Sequence, residues 1–173
     1  MTATEVVPAE VVERIPAYLS RQRWYAGAAE PGPVRVLHAD QLSVGGDGSP
    51  RLLWAMVEAQ GATYQLLIGE RPQGETAEFL NGHEPGVLGL AGAAYYYDAT
   101  LDPTLARALL SVVTGGRETS ERVRPVTAEQ SNTSLVYDDR IIVKLFRRLL
   151  DIGIGSVEEP PEELDDDLVV VDE

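Results

Sequence analysis

Apolar residues recur at helical spacing just after Pro8, where Val11, Val12, Ile15, Tyr18 and Leu19 of AEVVERIPAYLS share one side of a helix. The pattern predicts an amphipathic helix, kinked at Pro16, that packs on a sheet. Past the loop RQRWYAGAAEPGP the period changes. VRVLHADQLSV, RLLWAMVEAQ and ATYQLLIGER, separated by GGDGSP and Gly61, read as three consecutive antiparallel strands. Pro72 to Gly92 is turn-rich and reads as surface, and AAYYYD at 93–98 as a short strand. Asp102-Pro103 supplies an N-cap and a first-turn proline. Leu105, Leu109, Val112 and Val113 then follow along one face until Gly115-Gly116 stops the helix.

A second β-rich unit comes next: RVRPVTAEQSN, TSLVYDD, a tight turn at Asp138-Asp139, and RIIVKLFRRLL. From Asp151 onward, Gly-Ile-Gly, Pro160-Pro161 and dense carboxylates suggest a solvated tail, to which LVVV at 168–171 adds one strand. The fold class is therefore α+β, with antiparallel sheets and flanking helices.

Composition refines this picture. Hydrophobic content of 44% with 24% charged residues is that of a folding chain. The net charge of −14 is mostly local: ten acidic residues and no basic one fall in the last 23 positions, leaving 14 basic against 18 acidic residues elsewhere. No basic stripe is available to displace counterions, so nucleic acid is not an expected partner. The absence of cysteine removes disulfides and thiolate metal sites, and His38 and His83 alone are a poor basis for a zinc site. The N-terminus lacks a basic and apolar leader pattern, and no apolar run reaches membrane-spanning length. The expectation is a cytoplasmic protein with no membrane partner.

Candidate chemistry concentrates in one segment. Strand geometry puts Ile142, Lys144 and Phe146 on one face and Ile141, Val143 and Leu145 on the other, so a single lysine sits in apolar surface. Such an ammonium either snorkels to the rim or meets a phosphate or a carboxylate. Upstream, the polar run Glu129 to Ser134 joins two strands with side chains able to bind phosphate or simply to cap a turn. Strand, polar loop, strand, turn and lysine-bearing strand follow in the order in which kinase-like N-lobes cover ATP phosphates. Elsewhere, Trp24-Tyr25 reads as core packing in preference to a sugar platform, and His83-Glu84 as part of a solvated turn.

RQRWYAG at 21–27, YYYDATLDP at 95–103 and above all VRPVTAEQSNTSLVYDDRIIVKLFRRL at 123–149 resemble the actinobacterial maltokinases. The resemblance covers residues 10–149. It implies a kinase-like fold that transfers the γ-phosphate of ATP to the anomeric hydroxyl of maltose for α-glucan synthesis, with trehalose synthase as a possible partner. It further implies an N-terminal cap over residues 1–90, the beginning of the kinase N-lobe over 91–150, and an acidic tail over 151–173. By position, Lys144 is similar to the phosphate-contacting lysine, and Ser131, Asn132, Thr133 and Ser134 to the loop over the nucleotide phosphates.

The resemblance also places the acceptor-side aspartate and the Mg²⁺ ligands in a C-lobe that does not occur in these 173 residues. The chain is therefore expected to be the N-terminal portion of a kinase and inactive alone. The competing reading is a non-catalytic, cap-like interaction module for trehalose synthase or another glucan-pathway partner.

Overall fold

A computed structural model describes residues 6–75, 78–126, 132–149 and 170–172. The N-terminal apolar stripe forms two short helices, α1 (Ala9–Val12) and α2 (Ile15–Leu19). Pro16 occupies the first turn of α2, where its missing N–H costs nothing, so the expected kink becomes a break between helices. Val11, Ile15 and Leu19 are buried against the first sheet.

That sheet is a meander of β1 (Arg35–Val44), β2 (Arg51–Ala59) and β3 (Ala62–Pro72), extended by β4 (Val87–Ala91) and β5 (Ala94–Asp98) in the order β1-β2-β3-β5-β4. The β1–β2 register shifts between Val36 and His38 and again between Gln41 and Ser43. Adjacent β2 residues Leu52 and Leu53 are both buried because both faces of the sheet are covered. Leu53, Ala55 and Val57 meet the N-terminal helices. Leu52 and Leu67 face a second core with helix α3 (Pro103–Val113) and a second sheet.

The Pro72–Gly92 stretch is less superficial than its turn residues suggest: Leu80, Leu88 and Ala91 are buried, and β4 within it completes the sheet edge. The first sheet thus runs past residue 90 to Asp98.

The second sheet comprises β6 (Val123–Val126), β7 (Asn132–Tyr137), β8 (Ile141–Phe146) and β10 (Val170–Asp172), in the order β10-β8-β7-β6. Asp138 and Asp139, both at positive φ, make the tight β7–β8 turn that short polar side chains tolerate. The expected single strand RIIVKLFRRLL is instead two. β8 ends at Phe146, and β9 (Arg148–Leu149) crosses to the first sheet and pairs with Thr63 and Tyr64 of β3. Leu105, Leu109 and Leu110 of α3 pack with Leu135, Tyr137, Val143 and Leu145 of this sheet, and the Tyr137 hydroxyl donates to Ala106 O at 2.8 Å.

Candidate functional site

Lys144 lies on β8 between buried Val143 and Leu145 and is itself half-buried. Its face is the one shared by Ile142 and Phe146, which are 39% and 41% exposed. In the ladder Lys144 is directly opposite Ser134, and Phe146 is opposite Asn132. Asn132, Thr133 and Ser134 were expected in a loop; they form the first half of β7.

Strand alternation separates these residues. Asn132 and Ser134 share the face of Lys144, whereas Thr133 joins Leu135 and Tyr137 on the core side. Ser134 is only 2% exposed, so it supports the lysine's neighbourhood from beneath the surface. Ser131, with residues 127–130, lies outside the described residues.

The Thr133 hydroxyl accepts a hydrogen bond from Arg147 Nε at 2.9 Å. Arg147 is the largest fully buried side chain, 1% exposed, at the point where β8 gives way to β9. Its Nη2 donates to both carboxylate oxygens of Asp98, at 3.1 and 2.9 Å, and its guanidinium lies 5.2 Å from the Trp24 ring centre. Asp98 also accepts from the Tyr18 hydroxyl at 2.7 Å and from the backbone N and hydroxyl of Thr100 at 3.0 and 2.7 Å.

Burial by itself would raise the Asp98 pKa. The Arg147 charge, with the Thr100 and Tyr18 hydrogen bonds, outweighs it and holds the carboxyl below its ordinary range. Burial, followed by the Asp98 charge, pushes the Tyr18 hydroxyl well above its usual value. Trp24 therefore belongs to the core as the sequence suggested, tilted against Tyr18 and Tyr64.

Sequence reasoning missed Arg147, yet a signal was present. It is in phase with Ile141, Val143 and Leu145, so strand period alone aims it inward.

A second buried carboxylate stands four residues beyond Asp98. Asp102 caps α3 by accepting from Thr104 N at 2.8 Å, while its other oxygen takes the Tyr97 hydroxyl at 2.7 Å and Arg71 Nη2 at 2.9 Å. This network joins β3, β5 and α3.

Two surface grooves, of about 620 and 420 Å³, lie on the first-sheet side of the molecule. One runs between α2 and the 29–34 loop, the other beside Arg71, Glu75 and Tyr95, and neither is lined by Lys144 or residues 132–134. Among the described residues no group of three His, Asp or Glu side chains is placed to hold a metal ion. Nor does any described helix have the length and apolarity needed to cross a membrane.

Two antiparallel sheets pack on either side of α3, the first covered by the N-terminal helices and the second carrying Lys144. Residues 18–102 match the maltokinase N-terminal cap domain. This match supports a maltokinase-family N-terminal region in the chain. The match contains Tyr18, Trp24, Asp98 and Asp102, while Lys144 and Arg147 lie beyond it.

Proposed function

We propose that the chain is the N-terminal portion of a cytoplasmic ATP-dependent maltokinase, in which the cap precedes the first strands of the nucleotide-binding lobe. The observation that carries this reading is the position of Lys144 on the open face of β8, directly across from Ser134, in a hairpin that follows the cap. An ammonium and, on the same face of the hairpin, the Asn132 amide are donor types suited to phosphate oxygens. On this reading Lys144 pairs with the nucleotide phosphates, Asn132 donates from the adjoining strand, Ser131, outside the described residues, is a further donor, and Ser134 braces the lysine. Thr133, turned inward, serves Arg147 instead.

ATP would supply the phosphoryl group, and Mg²⁺ would be held by residues outside this chain. The chain's own contribution is to bind and orient the phosphates. Maltose recognition and any contact with trehalose synthase belong to the same proposal.

The test is ATP-dependent phosphorylation of maltose by a kinase carrying this segment. Lys144→Ala is expected to lower turnover on the order of 100-fold, the usual effect of losing one electrostatic donor at the transition state, with an unchanged melting temperature. Unchanged turnover would remove Lys144 from the site. The 173-residue chain alone is expected to show no phosphotransfer, and robust activity from it would overturn the division of labour.

A further inference from the structure

A buried ion pair is an inefficient way to stabilise a fold, because desolvating two charges consumes most of what their attraction returns. The Asp98–Arg147 pair carries an additional cost. Arg147 Nη1 makes no hydrogen bond, alone in this among the buried side-chain nitrogens and oxygens of the described residues. Its position suggests what the pair does. Arg147 comes three residues after Lys144, where the chain leaves the second sheet, and it is fixed by Asp98 and Trp24 of the cap and by Thr133 of β7.

The apolar pattern of β8 does not by itself determine where Lys144 sits. A slip of one residue is forbidden because it would turn Ile141, Val143 and Leu145 to solvent. A slip of two residues is not forbidden this way: Val143 and Leu145 stay in the inward row, while on the outer face Lys144 takes the place of Ile142 or Phe146. Such a slip would carry Lys144 about 7 Å along the strand and leave Ser134 facing Ile142 or Phe146. It would also bring Leu145 or Leu149 into the place of Arg147, opposite a buried Asp98 carboxylate, which an aliphatic side chain cannot satisfy.

We propose that Arg147 is a positioning residue that locks the register of β8 and thereby places Lys144 opposite Ser134. The Asp138-Asp139 turn holds one end of the hairpin, and the Arg147–Asp98 pair holds the other. The cap thus sets the position of the lysine through Arg147. That the placed lysine meets phosphate rests on the function proposed above; the register lock itself does not.

The test is solution NMR on the 173-residue chain with Asp98→Asn/Arg147→Met, which removes the pair without leaving a lone buried charge. The expected result is a folded protein in which the amides of Lys144 to Phe146 exchange at least tenfold faster, while those of β2 and β3 keep their protection. Cross-strand contacts from Ser134 to Ile142 or Phe146 should appear beside those to Lys144. A folded double variant with native exchange and a single register overturns the proposal. Should that variant not fold, Asp98→Asn alone, which neutralises the partner of Arg147 while keeping its shape, is read the same way, and native exchange with a single register there overturns the proposal. Titration of the wild-type chain with ATP, followed at the Lys144 amine, separates the two ideas: a perturbed register with an indifferent lysine keeps the lock and discards the nucleotide role.

Discussion

Asp102 offers a way to take apart two jobs done by one side chain. It is 0% exposed. One oxygen caps α3 through Thr104 N at 2.8 Å and, more weakly, Leu105 N at 3.4 Å, while the other gathers Tyr97 and Arg71. Asp102→Asn retains a capping oxygen, since asparagine is as good an N-cap as aspartate. It nevertheless loses the charge and turns amide hydrogens toward two donors, at a cost of about 1.5–3 kcal/mol.

Asp102→Ala loses the cap as well, about 1 kcal/mol more. For a chain of this size each kcal/mol moves the melting temperature by about 2–4 °C, so the alanine variant should melt about 5–15 °C lower. Urea unfolding followed by tryptophan fluorescence gives the free energies directly. Equal losses for the two variants would show that the cap contributes nothing, and an asparagine variant within about 0.5 kcal/mol of wild type would refute the charged network.

Gly69→Ala should destabilise by about 1–3 kcal/mol, as overpacking does. A Cβ there would lie 2.4 Å from the Tyr97 ring and 2.8 Å from Leu105 Cδ1, and a melting temperature equal to wild type would show that the ring can retreat. Because the Asp98 pKa is lower folded than unfolded, the unfolded state takes up the proton first as acid is added. The pair's stabilisation is complete well above the ordinary value of 3.8 and is lost as pH falls below it toward the folded pKa. Melting curves from neutral pH to below 3.8 should therefore fall more steeply for wild type than for Asp98→Asn/Arg147→Met, and parallel curves would contradict the pairing.

Much of the first sheet was legible because its strands carry their own signals: β-branched and aromatic runs closed by Gly and Asp turns at 45–48 and 60–61. The α3 start was equally clear, since Asp102-Pro103 encodes a cap and a pre-set φ within two residues. β4 was hidden. Its sequence VLGLA is short, contains a glycine at positive φ and sits among turn residues, and only pairing with β5 makes it a strand.

For the candidate site, strand period put Lys144 with Ile142 and Phe146, and the run TSLVYDD already placed Thr133 and Ser134 at a strand start, but nothing local showed that Asn132 would join the ladder. Arg147 was overlooked because an arginine pair at a strand end looks solvated. Its burial depends on Asp98, 49 residues earlier, a partnership that no local pattern reports.

The pairing of β9 with β3 bears on how this protein comes to be made. Gln65 donates its side-chain amide to Phe146 O and its backbone N–H to Arg147 O, the first of these acceptors 81 positions away along the chain. A ribosome that has delivered only the segment matched by the family has not yet delivered the strand that covers the middle of its own sheet. Until residue 149 emerges, that flank of β3 stays open to whatever extended chain is near, so synthesis passes through an interval in which a holding chaperone would have an obvious client.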